Sequence, residues 1–461
     1  MNLIYGIKDK PKFGQMLIFA FQQVLAILAA TIAVPAIIGN GMSQAAALFG
    51  AGVGTIVYQL FTRFRSPVFL GSSFAFLGSM GAAFAGAASG SAGFAGILLG
   101  AVFAGLVYVV IALVVKLAGV KWIDKLMPAA VIGPTVAIIG LSLAGNAVGD
   151  LTTGRVAGCS PYVALICGLV TLIAIVLFSV YGKKMMKLIP FVLGILVGYV
   201  VATIFTVIGT VSGNDALKVI DFSAFANLKI FAIPEFTFIE AFKGFKEIDA
   251  TYIATVAVAY IPVAFVVFAE HLADHKNLSS IIDENLLENP GLHNTLLGDG
   301  VGSIAGAIFG GCPNTTYGES VGCVAITKNA SVVTITTAAI LCMIISFFGP
   351  FITFLASIPN CVMGGVCMTL YGFIACSGLK MIQKVDLNNN KNLFVVAVIL
   401  IAGIGGLSLT FGKVDRKQYY ARSASLRRGA FAFRTCRFRI LRRDSRNEGS
   451  DLSLRLYYQS L

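Results

Sequence analysis

The sequence contains little charge for its length. Only 12% of its 461 residues are Asp, Glu, Lys or Arg, whereas 57% are hydrophobic. Soluble domains carry roughly 25% charged residues. A chain with so few charges has no means of covering its surface with hydrated side chains, which excludes an ordinary soluble domain. The composition therefore predicts a membrane protein.

Residues that bind metals or act as nucleophiles are also scarce. The three His and nine Cys are scattered, and we interpret the Cys as small packing residues because their spacing matches no ligand set. His271 and His275 have the i, i+4 spacing of a two-His metal site, but no third ligand of the metalloprotease type accompanies them. No nucleophile with a neighbouring base is recognisable. The sequence thus predicts neither a metal nor another cofactor, and a membrane-embedded enzyme is the least supported alternative.

Long charge-free runs are what the sequence has instead. About 20 apolar residues suffice for one helical crossing of a bilayer, and breaks at residues 39–41, 86–93 and 349–350 divide the longest runs. We predict an all-α polytopic membrane protein with about thirteen segments. Clusters of Lys and Arg fall in alternate loops, all on one side, which predicts a cytoplasmic N-terminus.

The C-terminal residues 414–461 differ from the rest of the chain. They hold 11 Arg and 1 Lys, whereas residues 1–413 hold 3 Arg and 19 Lys. Because an apolar run ending near Phe411 leads straight into them, we interpret them as an out-of-frame or disordered tail. A polybasic arm that binds lipid or nucleic acid is the alternative. No apolar helical face or repeat supports it, and we predict no nucleic-acid partner.

Two polar segments interrupt the apolar sequence in a similar way. Pro67 is followed by residues 72–74 (SSF), and Pro313 is followed by residues 315–317 (TTY). Non-helical backbone at membrane depth needs partners in protein or in a water-filled cavity, and transporters often pair such segments across inverted repeats. We predict two half-crossings, each an extended stretch leading into a short helix whose N-terminus faces a shared site. The alternative is two loops that merely share turn-forming residues.

Three acidic residues lie in or beside these apolar regions. Glu319 lies within the second polar segment, Glu270 ends the charge-free helix 252–269, and Asp274 shares a helical face with Glu270. A carboxylate inside a membrane costs at least roughly 2.5–3.5 kcal/mol and marks function by default. Two carboxylates facing one cavity disfavour ionisation of both, so we expect one of them to carry a coupling proton. For Glu270, pairing with Lys or a position at the lipid interface is the alternative.

The motifs resemble the nucleobase/ascorbate transporter family, which includes bacterial uracil permeases. The resemblance covers residues 1–413 and is carried by residues 270–271 (EH), 290–293 (PGLH), 313–319 (PNTTYGE) and 319–328 (ESVGCVAITK). It implies fourteen segments in two inverted seven-segment repeats, in which segments 3 and 10 each contain a short strand before a half helix. About thirteen of the fourteen are present here, and the tail stands where the last is expected. The resemblance also suggests a homodimer in the lipid bilayer.

The resemblance divides the chain into a core domain, a gate domain and connecting parts. The expected core is 1–120 and 250–348, the gate is 121–211 and 349–413, the extracellular loop is 212–249, and the tail is 414–461.

The function implied is proton-coupled uptake of uracil across the bacterial plasma membrane. Glu270 and Glu319 resemble the carboxylates that hydrogen-bond the uracil ring, and the backbone amides of Phe74 and Gly318 fall where its carbonyl groups bind. Tyr317 neighbours the ring. The other implied residues are Tyr371, facing the site from the gate, and Asp274, which joins Glu270 and Glu319 as a candidate for proton coupling.

The sequence departs from the family pattern at three places. Ser320 stands where Asn is usual, Gln23 stands where His is usual, and Asp274 stands where some uracil permeases have His but purine transporters have Asp. A xanthine or other purine symporter is therefore an alternative, as is an anion exchanger on the same fold, although carboxylates would repel an anion. With segment 14 replaced, we expect the body to fold but to transport poorly.

Overall fold

The computed structural model describes residues 3–405, with the exception of residues 120, 121, 123–127, 184 and 227. The tail 414–461 lies outside the described residues, so its interpretation and the expected poor transport stay predictions.

The first half of the chain forms helices around one short strand. Its elements are α1 (Phe13–Ile38), α2 (Gln44–Phe61), β1 (Leu70–Ser72), a 3-10 turn (Phe74–Phe76), α3 (Leu77–Gly86), α4 (Gly90–Ala118), α5 (Ala129–Ser142), α6 (Ala144–Asp150), α7 (Pro161–Tyr181), α8 (Met185–Leu188) and α9 (Pro190–Ser212).

The second half repeats the strand and the half helix. Its elements are α10 (Thr237–Gly244), α11 (Ala250–Ile282), a π-helical turn (Leu287–Gly291), α12 (Leu292–Gly310), β2 (Asn314–Thr316), α13 (Gly318–Thr327), α14 (Val332–Ile345), α15 (Gly349–Ser357), α16 (Asn360–Ile382) and α17 (Asn390–Ile404).

Eight helical segments of the described chain are long and apolar enough to cross a membrane. They are α1, α2, α4, α5 with α6, α7, α9, α11 and α16. Shorter apolar helices are Phe74–Gly86, α14 and α17. The predicted all-α polytopic membrane fold is confirmed, and α1 to α4 with β1 correspond to α11 to α14 with β2 as inverted repeats.

The predicted breaks in the long apolar runs coincide with helix ends. Gly39, Asn40 and Gly41 have φ angles of 64°, 50° and 78°, which lie outside the helical region and separate α1 from α2. The Ser89 hydroxyl accepts the Ala92 N–H at 3.1 Å and caps α4.

The helices pack in two sets of neighbours. Helices α2 and α4 pack against α12, α11 packs against α4, and α14 packs against α1 and α2. In the other set, α16 packs against α5, α6 and α7, while α9 packs against α7 and α17 against α5. These neighbours are compatible with the predicted core and gate, whose boundaries stay predictions.

Glycines bring α2 and α12 unusually close together. A Cβ on Gly50 would overlap the backbone at Gly306 and Gly310, and a Cβ on Gly302 would overlap the backbone at Gly54. Small residues at such positions let helix backbones approach each other in a membrane protein. This close contact fixes α12 against α2 beside the end of β2.

Helix α11 extends well beyond the charge-free run 252–269. The sequence placed Glu270 at the end of that run and Asp274 on the same helical face, and the helix continues unbroken to Ile282. The polar residues beyond Glu270 do not end it, because His271 and His275 are fully buried and find hydrogen-bond partners inside the protein. Glu270 and Asp274 consequently lie within one continuous helix.

Candidate functional site

The two interrupted segments meet as a two-stranded antiparallel sheet. Leu70 pairs with Thr316, and Ser72 pairs with Asn314. The ladder extends beyond the strands, since the Ser73 N–H donates to the Pro313 carbonyl at 2.9 Å. All six strand residues are buried, so this pairing satisfies backbone groups that lipid would leave unpaired. The predicted meeting of two extended stretches, each followed by a short helix, is present.

Tyr317, directly after β2, contacts the backbone of β1. Its hydroxyl donates to the Ser72 carbonyl at 2.7 Å, and its side chain is 3% exposed. The ring lies against Gly71, where a Cβ would overlap it. Glycine at this position therefore allows an aromatic ring to pack directly on the backbone of β1.

Ser320 connects three elements at the start of α13. Its hydroxyl accepts the Phe69 N–H at 3.1 Å, just before β1, and it also accepts a hydrogen bond from the Gln23 amide of α1. Gln23 is 2% exposed and Ser320 is fully buried. Sequence comparison with the family pattern marked both positions as departures, and the structure shows that they contact each other.

The predicted carboxylates gather where α13 begins. Glu319 lies in the first turn of α13, where the helix N-terminus favours negative charge. Glu270 interacts electrostatically with Asp274 and Glu319, and Asp274 accepts a hydrogen bond from the Thr316 hydroxyl at 2.8 Å. Glu270, Asp274 and Glu319 are half-buried, and Gly318 is exposed. The three carboxylates thus keep part of their surface exposed beside Gly318.

Phe74 and Tyr371 bring the first half helix to α16. Their ring centroids are 5.6 Å apart at an interplanar angle of 82°, an edge-to-face contact that aromatic rings favour. Phe74 is 8% exposed and Tyr371 is 2% exposed. Tyr371 therefore reaches Phe74 from the second set of helices, and its role as a residue of the gate stays a prediction.

A buried network next to the carboxylates was missed by the sequence analysis. The His271 Nδ1 lies 2.7 Å from Asp299 Oδ2, and its Nε2 lies 3.0 Å from the Thr295 hydroxyl. Asp299 also interacts electrostatically with Glu270. The signal that could have found this network is Asp299, a carboxylate within the Gly-rich apolar stretch of α12, because such a residue marks function by default in the same way as Glu270.

His271 and His275, which have the spacing of a two-His metal site, bond to groups of the protein in the structure. His275 Nδ1 lies 2.8 Å from the His271 carbonyl, and its Nε2 lies 2.7 Å from the Tyr58 hydroxyl. The two imidazole rings stack at 4.0 Å. Both nitrogens of each ring have protein partners, so the pair joins α11 to α2 and α12.

Comparison with known proteins agrees with this architecture. The model of a family described as the permease family matches residues 14–410. The uracil permease of Bacillus caldolyticus is 37% identical over 408 residues, which cover 88% of this chain and 89% of that protein. The uracil permease of Escherichia coli (strain K12) is 32% identical over 415 residues, with 89% and 90% covered.

A solved structure shares the fold at low sequence identity. The transmembrane domain of the cyanobacterium bicarbonate transporter BicA superposes with a TM-score of 0.59 at 17% identity, covering 87% of this chain and all of that chain. Inverted repeats with paired interrupted segments are typical of multi-pass membrane transport proteins. The chain belongs to the permease family, and the predicted resemblance to the nucleobase/ascorbate transporters is confirmed.

Proposed function

We propose that this protein carries uracil across the bacterial plasma membrane together with protons. The observation that carries the proposal is the gathering of Glu270, Asp274 and Glu319 around the exposed Gly318. Uracil is a neutral ring with N–H donors and C=O acceptors. Carboxylates can accept hydrogen bonds from its N–H groups, and backbone amides can donate to its C=O groups. The relatives that bear the name uracil permease support the same substrate.

Each site residue has a proposed role. Glu270 and Glu319 accept the ring N–H groups, while the backbone amides at Phe74 and Gly318 donate to its carbonyl oxygens. Tyr317 flanks the ring, and Tyr371 covers it from the gate. Glu270, Asp274 and Glu319 are close enough to interact, so a proton that neutralises one of them lowers their mutual repulsion.

The proposed movement separates two bodies. The core carries the half helices and the carboxylates, and the gate carries Tyr371. Alternating access in such folds is largely a rigid-body motion of one bundle against the other around the site. The Phe74–Tyr371 contact lies between the two sets of helices, which is where such a motion would open or close the site. We also propose a cytoplasmic N-terminus and a homodimer.

Uptake into proteoliposomes tests the proposal. Labelled uracil should accumulate faster when the outside is acidic, and Glu270→Gln or Glu319→Gln should each lower uptake about 10- to 150-fold, since hydrogen bonds to charged groups contribute roughly 1.5–3 kcal/mol. Glu284→Gln, which changes an exposed Glu after α11, is the matched control.

Three other results would contradict parts of the proposal. Accumulation of xanthine but not uracil would identify the purine alternative, for which Asp274 is the favouring residue. Uracil uptake that ignores a pH gradient would exclude proton coupling. Inhibition by bicarbonate or sulfate without uracil uptake would indicate an anion exchanger.

A further inference from the structure

The N-terminal strap, residues 3–9, pairs with the chain that follows α13. The Ile4 N–H donates to the Lys328 carbonyl at 2.8 Å, and the Ala330 N–H donates to the Tyr5 carbonyl at 2.9 Å. The Val332 N–H donates to the Ile7 carbonyl at 3.1 Å. The strap therefore holds the far end of the half helix whose first turn contains Glu319.

One side chain of the strap enters the interior. Ile7 is 6% exposed and belongs to an apolar cluster that includes Val321 and Val324 of α13. Ile4, three residues earlier, is 60% exposed. The strap thus shares an apolar cluster with side chains of α13, and its backbone pairs with the chain directly after α13.

A second segment holds the turn that follows the other half helix, α3. Helix α10 packs against α4 at the turn after α3, and a Cβ on Gly244 of α10 would overlap the Ser91 backbone, so contact there is tight. The Ser91 hydroxyl donates to Glu240 at 3.0 Å, and the Ser89 hydroxyl donates to Glu247. Hydrogen bonds from Lys243 and Ser91 lower the pKa of Glu240, which keeps it ionised as an acceptor.

The two contacts follow the inverted repeat. The strap precedes α1 and pairs with the chain directly after α13, whereas α10 precedes α11 and contacts the turn directly after α3. Each half helix has only ten residues, and isolated helices shorter than about 12–15 residues are marginal. The position of each half helix therefore depends on contacts at its ends.

We propose that the strap and α10 are a pair of clamps that position the two half helices for substrate binding. Each clamp is supplied by the segment that leads into the other repeat. The clamp on α13 orients Glu319, and the clamp on α3 orients Phe74. The roles of these two residues rest on the proposed function, whereas the clamping itself is a property of the fold.

Substitution at Ile7 tests the first clamp. Ile7→Asp places a charge in the apolar cluster and should raise the KM for uracil by about tenfold or more, with a smaller change in maximal rate, because a loosened α13 holds Glu319 in the binding geometry for less time. Ile7→Val, which keeps an apolar side chain, should leave the KM at its wild-type value. Ile4→Asp, at an exposed position of the same strap, is the matched control and should also leave the KM unchanged. An unchanged KM in Ile7→Asp would overturn the clamp as a positioning device.

Hydrogen exchange gives a readout that does not need the substrate. Amides of α13 should exchange faster in Ile7→Asp, or in the milder Ile7→Ala if the Asp variant does not fold, while amides of α3 stay as in wild type. In Gly244→Val, the amides of α3 should exchange faster while those of α13 stay as in wild type. In Lys246→Val, at an exposed position, exchange of both helices should stay as in wild type.

The exchange measurement separates the two hypotheses. If the wild-type protein takes up no uracil, the proposed function fails, but exchange still decides whether the clamps exist. Equal exchange of α13 in wild type and in both Ile7 variants would refute the strap, whatever the substrate.

Discussion

Single residues determine how closely the two half-crossings approach each other. Gly71 leaves space for the Tyr317 ring, whose hydroxyl then reaches the Ser72 carbonyl. The strand pair and the aromatic side chain thus form one unit. A larger residue at position 71 has to displace either the ring or β1.

We expect Gly71→Ala to abolish transport, because the new Cβ overlaps the Tyr317 ring in a well-packed interior. Overpacking of this kind typically costs 1–3 kcal/mol, so the melting temperature should fall as well. Gly78→Ala is the matched control, since a Cβ there meets nothing within 4 Å. Uptake assays and thermal unfolding of both purified variants check this prediction, and wild-type behaviour of Gly71→Ala would contradict it.

The sequence revealed those site residues that look out of place locally. Glu319 and Glu270 stand out because a carboxylate in an apolar run is costly. Asp299 was overlooked because it falls at the edge of a charge-free run, and its partner His271 lies 28 residues away. No local pattern shows that the two side chains meet, since their contact arises only when α11 and α12 pack together.

At the scale of elements, the Gln23–Ser320–Phe69 bridge joins α1, α13 and the approach to β1. All of its polar groups are buried, so each deletion leaves a group without its partner, at a cost of about 1–3 kcal/mol. The bridge should therefore behave as a single unit when it is mutated.

A double-mutant cycle tests this unit. Gln23→Ala and Ser320→Ala should each destabilise the protein, and the double variant should lose less than the sum of the two because their interaction is lost only once. Thr210→Ala should be additive with either change, because the Thr210 hydroxyl donates to the Thr206 carbonyl within α9 and shares no partner with the bridge. Strict additivity of Gln23→Ala with Ser320→Ala would show that the bridge contributes no coupling.

Element lengths were harder to predict than element types. The breaks at residues 39–41 and 86–93 were predicted correctly because Gly and Ser residues mark helix ends locally. The shared face of Glu270 and Asp274 implied that α11 passes beyond Glu270, but its end at Ile282 was not predicted. The polar residues around Asp274 look like a loop until His271 and His275 are matched with Asp299 and Tyr58. Composition alone does not distinguish a polar helix buried in protein from one that ends in water.

At the scale of the molecule, the membrane fold class was predicted from composition, and the inverted repeat was predicted from the two matching polar segments. Membrane proteins are favourable for such prediction, because lipid forces nearly all backbone groups into helices or paired strands. The packing of α16 against α5, α6 and α7 was expected only from the family resemblance. Glycines on α16 and on the helices that it contacts allow this packing to be close. The amino-acid sequence does not reveal which glycine contacts which partner.

The orientation predicted from the Lys and Arg clusters is open to direct measurement. Lys8 and Asp215 are both exposed, and the positive-inside rule places them on opposite sides of the membrane. In intact cells, a membrane-impermeant maleimide should label Asp215→Cys but not Lys8→Cys, and permeabilised cells should show both. Labelling of the unmodified chain sets the background, and the opposite pattern would reverse the orientation.

The strand pair also has a consequence for biogenesis. Tyr317 follows Ser72 by 245 residues, so at about 5–20 residues per second the ribosome reaches it roughly 12–50 s after β1 has been made. Throughout that interval β1 lacks its partner strand, and in the described part of the first repeat only the backbone of Leu70 has a partner, the Thr55 hydroxyl. The newly made first repeat must therefore wait in a protected environment, such as the insertion machinery, until translation delivers the complementary strand.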